Sequence, residues 1–318
     1  MKKIGVIDWR QMVWLPLTIL FCCPLAIFAD QVAQRPRTTR APGAPVAPAA
    51  RLLVAWEPLS LVNGAPFMLR VRASEPLRSL TATWMGKEVS FELDEGSRDW
   101  IGLSGVALEV TPGRYPLVLD GETLRGVRSL QNETLTVKRA SYRSSALSVA
   151  REFTEPDPQT AARIAAEQVL KKALFSRLIS PRRIWAGVFV APIKSVITEP
   201  FGTQRTFNGQ VQSVHQGLDF RAGPGTPIQA MNTGTVVLAR ELFFEGNCVV
   251  VDHGQGLLTL YLHLSQIDVK EGDRVQKSQT IGLSGATGRV TAPHLHVAVR
   301  WNGIYLDPAR LLKLPLPE

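Results

Sequence analysis

A chain of 318 residues that is 45% hydrophobic and 20% charged is long enough for one or two packed domains and too apolar for uniform disorder. Its formal net charge of +9 favours anionic polymers and head groups as partners. Nucleic acid is not expected among them, because the chain opens with an export-like segment and carries no interleaved basic and aromatic recognition motif.

Lys2, Lys3 and Arg10 precede an apolar run from Met12 to Phe28, and Ala29 offers a cleavage point before Asp30. This pattern predicts a signal peptide over residues 1–29 and export to the periplasm or cell envelope. The competing reading is an uncleaved anchor, which would tie the protein to a membrane. The run is short of the ~20 apolar residues that span a bilayer, and Pro16 and Pro24 interrupt it. Lipidation at Cys22 is disfavoured by the bulky Phe21 before it. Without residues 1–29 the charge is +7 and only Cys248 remains, so no intramolecular disulfide can form. Cys248 stands in the run Cys248-Val249-Val250-Val251 and is expected to be a small core residue.

Residues 30–50 are rich in Pro, Ala and Arg, the composition of an extended linker. From 51 to 139, short strands are predicted at Leu52–Trp56, Phe67–Ala73, Leu80–Met85, Val89–Leu93, Trp100–Gly105, Gly113–Leu119 and Glu133–Lys138, with turns such as Asn63-Gly64 and Asp120-Gly121-Glu122 between them. Their spacing predicts a small, immunoglobulin-like β-sandwich. With no histidine, cysteine or carboxylate cluster, this region reads as a binding or positioning module, with a cell-envelope protein as its candidate partner.

Between 157 and 180 the apolar period becomes helical, through Ile164, Val169, Leu170, Leu174, Phe175 and Leu178, with Pro158 at the start and Pro181 beyond the end. One helix is predicted there, connecting the two β regions. Residues 182–318 return to short strands: Gly187–Val190, Gly217–Arg221, Pro227–Met231, Gly234–Arg240, Asn247–Asp252, Leu257–Leu264, Gln279–Leu283, Leu295–Trp301 and Ile304–Leu306. The fold class is therefore mainly β, ending in an antiparallel β domain with little helix.

All five histidines, His215, His253, His263, His294 and His296, lie in this last region. Side chains two apart on a strand share a face, so His294 and His296 project together. His215 and Asp219 are spaced as on a helix, but Gly217 and the run Gly223-Pro224-Gly225 argue for a loop entering a strand. Two imidazoles and a carboxylate are reasonable zinc ligands that leave a fourth position open, as a hydrolytic site needs.

The stretch from about Phe189 to Leu312 resembles the lysostaphin/LytM-type zinc endopeptidases of peptidoglycan. The resemblance rests on Phe201-Gly202, His215-Gln216-Gly217-Leu218-Asp219-Phe220, Gly234-Thr235-Val236, Val251-Asp252-His253-Gly254, Tyr261-Leu262-His263-Leu264-Ser265, Gly285-Ala286-Thr287-Gly288 and His294-Leu295-His296, in that order. Three positions depart from the family's usual glycines: Ser278, Ala292, and Glu245, which replaces the first glycine of a common Gly-Gly-Asn. The resemblance implies an exported hydrolase of peptidoglycan stem peptides or cross-links, with Zn2+ as cofactor and His215, Asp219 and His296 as its ligands. It implies that His263 and His294 are the catalytic histidines, without saying which is the base and which steadies the oxyanion. His253 is implied to be structural. Asn247 and Thr287 resemble groove residues that meet substrate, with turn chemistry as the competing reading. Tyr261, two residues from His263, lines the site or belongs to the core. A second function also fits the motifs: a non-catalytic scaffold that binds wall or activates an amidase. Degenerate scaffolds of that kind usually lose one of the five positions kept here.

Overall fold

Alternation of apolar and polar residues between turns is what builds this molecule, and strands dominate its computed structural model, which describes residues 49–146, 157–176, 180–207 and 210–318. The signal-peptide reading of 1–29 and nearly all of the linker reading of 30–50 fall outside the described residues.

The first β region contains β1 (Leu52–Glu57), β2 (Leu61–Val62), β3 (Pro66–Ala73), β4 (Leu77–Trp84), β5 (Lys87–Asp94), β6 (Asp99–Gly105), β7 (Gly113–Thr123) and β8 (Arg128–Lys138). Their order across the sheet is β1-β3-β6-β5-β4-β7-β8-β2. Residues two apart, such as Phe67, Leu69 and Val71 on β3 and Leu80, Ala82 and Trp84 on β4, bury one face. β5 is the pivot: Lys87–Ser90 pair with β4, and Phe91–Asp94 pair with β6. The halves close over one core, and β1 meets β8 through side chains, with Gln131 Nε2 donating to the Leu52 carbonyl at 2.7 Å. The expected β-rich region is thus present as one continuous folded sheet, and nothing in its strand order singles out an immunoglobulin-like connectivity. Asp99 is buried in it and closed by Arg72 at 2.7 Å and Arg70 at 3.3 Å.

β9 (Ser144–Ala146) follows, then helix α1 (Pro158–Phe175). Asp157 caps α1, its Oδ1 accepting from the Gln159 and Thr160 amides at 2.9 and 3.0 Å. None of the helix residues is fully buried, yet Leu170, Leu174 and Phe175 pack on a cluster that includes Leu238, Cys248, Val250 and Leu260. Cys248 is a buried core residue, as expected.

The second β region contains β10 (Ile197–Glu199), β11 (Gln204–Phe207), β12 (Gln210–Val214), β13 (Leu218–Arg221), β14 (Pro227–Gln229), β15 (Gly234–Leu242), β16 (Gly246–Asp252), β17 (Leu257–Ile267), β18 (Arg274–Val275), β19 (Thr280–Ser284), β20 (His294–Trp301) and β21 (Ile304–Leu306), then a single-turn helix α2 (Pro308–Leu311). The main sheet runs β10-β13-β20-β17-β16-β15-β18, with β19 beside β17, β14 beside β19 and β21 beside β20, every pair antiparallel. β9 joins β11 in parallel, next to the β11–β12 hairpin. The predicted strand at Gly187–Val190 does not form. The Gly187 amide bonds the Pro317 carbonyl and the Val190 amide that of Met231, two unrelated segments, and Gly187 has φ +61°. β10, β11, β12 and β18 were not expected; β10 and β18 are short, and β10 has no buried residue.

Both faces of the main sheet are used. On β20, Leu295, Val297, Val299 and Trp301 enter the large core shared with the first β region. His294, His296, Ala298 and Arg300 point to the other face, where Arg300 stacks 4.2 Å from the Phe175 ring of α1. The two β regions interlock through Gln255 Nε2 to the Ile101 carbonyl (3.1 Å), Arg183 N to Glu92 Oε2 (2.8 Å) and Asn302 Nδ2 to the Glu88 carbonyl (2.8 Å), within one unit spanning Ala47–Glu318.

Candidate metal centre and its cleft

Three chain segments deliver three possible ligand atoms to one point. Asp219 on β13 stands directly opposite His296 on β20 in the antiparallel register, so their side chains share a face. His215 arrives just after β12, anchored by its amide to the Thr203 carbonyl (2.9 Å) and by Nδ1 to the Pro200 carbonyl (3.0 Å). His215 Nε2 lies 3.1 Å from Asp219 Oδ1 and 3.1 Å from His296 Nδ1, and His296 Nδ1 lies 2.8 Å from Asp219 Oδ1. Gly217 makes the approach possible: a Cβ there would fall 2.3 Å from His296 Nε2 and 2.6 Å from the Val297 carbonyl.

The charges suit a cation. Burial alone would raise Asp219, but its bonds to His215 and His296 hold it far below the ordinary carboxylate range, so it is ionised. Burial depresses His296 despite the neighbouring Asp219, so it stays neutral. With Nδ1 of His215 against the Pro200 carbonyl, its Nε2 is the ring nitrogen that faces Asp219 Oδ1 and His296 Nδ1. A cluster that brings three possible ligand atoms within 4.8 Å of one another fits a bound divalent cation, and two imidazoles with one carboxylate are a zinc-type donor set.

Two further imidazoles flank the cluster. His294 Nε2 is 3.7 Å from Asp219 Oδ1, and its Nδ1 bonds the Ala292 carbonyl at 2.8 Å. The ring of His263 lies 5.1 Å from that of His294, and its Nδ1 bonds the Thr287 carbonyl at 2.9 Å. Burial first, then the neighbouring His296, push His263 down to about 3, so its ring is neutral near pH 7.

His263 reaches the cleft by a local break. By strict alternation it would follow Thr259 and Tyr261 into the core. Instead it has φ +64°, and the register with β16 shifts there, so that Cys248 faces two residues of β17. The parity flips: Tyr261 lies in the large core before the bulge, Leu264 after it, and His263 turns to the other face. Tyr261 therefore does not line the site. It is wholly buried, its hydroxyl accepting from the Met231 amide at 2.7 Å and from Thr259 Oγ1 at 3.0 Å. Asn247 and Thr287 stand at the cleft wall with their polar atoms turned inward. Thr287 Oγ1 accepts from the Asn247 amide and donates to the Leu264 carbonyl, while Asn247 Nδ2 donates to that same carbonyl. His253 is buried elsewhere, with Nδ1 on the Thr233 carbonyl and Nε2 on Thr259 Oγ1, both at 2.8 Å. Sequence reasoning missed the carbonyls of Pro200, Thr287 and Ala292 that orient three imidazoles. Backbone acceptors leave no mark on residue type.

Residues 213–308 match a family model described as Peptidase family M23. Among curated relatives, the peptidoglycan DD-endopeptidase ShyA of Vibrio cholerae is 46% identical over 103 residues, which are 32% of this chain and 23% of that protein. The DD-carboxypeptidase/endopeptidase Mpg of Neisseria meningitidis is 38% identical over 122 residues, covering 38% of this chain and 28% of the relative. The chain thus spans only about a quarter of the length of these relatives, 23% and 28%. A crystal structure whose description names peptidase M23, from Pseudomonas aeruginosa, is 31% identical and superposes with a TM-score of 0.61, over 79% of this chain and 94% of that one.

Proposed function

This chain belongs to peptidase family M23, and from that premise we propose that it is an exported, zinc-dependent endopeptidase that hydrolyses peptide bonds in the stem peptides or cross-links of peptidoglycan. The observation that carries the reading is the convergence of His215, Asp219 and His296 beside two imidazoles that are not part of the triad. His215, Asp219 and His296 would hold the metal. When bound, zinc supplies Lewis acidity toward a carbonyl and acidifies water toward a pKa of ~7.

The chain's own groups then handle protons and position. His263 and His294 each give their Nδ1–H to a backbone carbonyl, which leaves Nε2 as the acceptor facing the cleft. Either can take a proton from the attacking water and, once charged, donate to the developing oxyanion or the departing amine. The Pro200 carbonyl keeps His215 in the tautomer that offers Nε2. Asn247 and Thr287 form the wall that holds His263, and substrate contact would come from their remaining surface.

The first β region, 51–139, is proposed as a positioning module, with 182–318 as the peptidase domain. The substrate lies outside the cytoplasm, in agreement with a cleaved signal at 1–29. No helix among the described residues is long and apolar enough to cross a membrane.

Mass spectrometry of muropeptides after digestion with the zinc-loaded chain tests the proposal. The expected result is a new free amine and carboxyl at one stem or cross-link amide. Zinc bound without any cleavage, together with stimulation of a partner hydrolase, would replace the enzyme reading with that of a wall-binding scaffold.

A further inference from the structure

The sheet face that carries His294 and His296 also carries α1, which lies outside the residues 213–308 matched to the family. Besides packing on the sheet, it makes three polar or cation–π contacts with residues 243–245, the turn between β15 and β16. Glu167 Oε2 accepts the Phe243 amide at 2.8 Å. Arg163, bonded to Glu167 Oε1 at 2.7 Å, sits 5.9 Å from the Phe243 ring. Lys171 Nζ bonds Glu245 Oε1 at 2.5 Å, with only 20% and 18% of the two side chains exposed. The other carboxylate oxygen, Oε2, is buried and has no hydrogen-bond partner among the described residues. A carboxylate this enclosed leans on Lys171, its cationic partner among the described residues.

The same turn holds His263. The Glu245 carbonyl accepts the His263 amide at 2.9 Å, at the residue whose φ of +64° turns its ring into the cleft. A β-carbon makes that conformation costly, and it persists where neighbours over-determine it. On the far side the turn is backed by residues 287–289. A Cβ on Gly246 would fall 2.3 Å from Thr287 Oγ1, and the Arg289 amide bonds the Phe244 carbonyl at 2.9 Å. Thr287 is also the residue whose carbonyl takes the His263 Nδ1–H. The turn is thus clamped between α1 and the loop that fixes the ring.

We propose that α1 is a positioning element of the site, and that the Lys171–Glu245 pair holds the turn whose carbonyl fixes His263 in its flipped conformation. Lys171 and Glu245 act through His263 and touch no substrate. This inference deepens the peptidase reading and rests on it for the activity readout alone.

The test uses the full chain with Lys171→Met, Glu245→Gln and the exchanged pair Lys171→Glu/Glu245→Lys. It reads kcat and KM on purified peptidoglycan fragments, zinc content, and the imidazole NMR signals of His263. Each single variant should lower kcat between about 10- and 100-fold, the scale of a small misplacement of a reacting group, with KM and zinc content unchanged. Each should also shift the His263 Nδ1–H resonance, and the exchanged pair should recover most of both losses. Unchanged kcat and resonance in the single variants would overturn the proposal. So would a loss of activity that tracks zinc loss and unfolding and is not recovered by exchange. If the wild-type chain cleaves no peptidoglycan, the peptidase reading fails, and the His263 resonances alone decide the role of α1.

Discussion

Asp99 in the first β region and Asp219 in the second are both strand carboxylates with almost no solvent contact, and the molecule treats them in opposite ways. Asp99 is closed by Arg72 and Arg70. Burial alone would raise it, but the two arginines outweigh that and hold it below the ordinary range. Asp219 instead meets two imidazoles at a single point, with His215 Nε2 and His296 Nδ1 at 3.1 and 2.8 Å from its Oδ1. A buried charge that is complete within the protein is part of the fold. One that shares a point with two imidazoles, each a possible metal ligand, fits a cation that arrives from outside.

The widest separation between the two should come from removing the carboxylates. Asp219→Ala should lose stoichiometric zinc by metal analysis, and turnover should fall on the order of 10⁴-fold or more. His294→Ala should keep its zinc and lose roughly 10²–10⁴-fold in kcat. Equal metal loss in both variants would show that the ligands have been misassigned.

Gly217→Ala should come next. Its new methyl would press on His296 Nε2, so zinc affinity in a competition titration should drop roughly 10–100-fold while the fold survives. Unaltered affinity would mean that the loop yields and the close approach is incidental.

The smallest effect belongs to Asp99→Asn. It should cost about 1–2 kcal/mol of stability in denaturant unfolding, since its arginines are themselves 37% and 59% exposed, and leave turnover per folded molecule unchanged. The sign with pH follows from the lowered pKa. The Asp99 contribution is fully present above the unfolded value of about 3.9 and is lost as pH falls through the lower folded value. The variant should therefore show a flatter loss of stability below about pH 4 than the parent. An identical acid limb in both chains would remove Asp99 from this account.

Much of the candidate site was visible in residue order because β20 obeys a simple period: Leu295, Val297, Val299 and Trp301 on one face oblige His294 and His296 to share the other. Gly217 and the glycine–proline run after Asp219 likewise marked a loop rather than a helix between His215 and Asp219. Where the period breaks, the reading fails. One residue at φ +64° moves His263 to the cleft and leaves Tyr261 in the core, and nothing in Tyr261-Leu262-His263 announces a bulge. The helix was legible from its spacing and its flanking prolines, but its contact with the cleft wall was not. That contact includes Glu245, a departure from the family's glycine whose partner lies 74 residues away.

β9 carries a practical consequence for anyone trimming this molecule. Its parallel pairing with β11 means that a three-residue piece of chain, contributed from before α1, covers one edge of the hairpin that leads to His215. A fragment starting at residue 182 would bare that edge, and bare strands recruit whatever backbone comes near. Such a shortened peptidase should self-associate on storage even with its metal ligands intact, and supplying residues 140–146 as a separate peptide should quiet it.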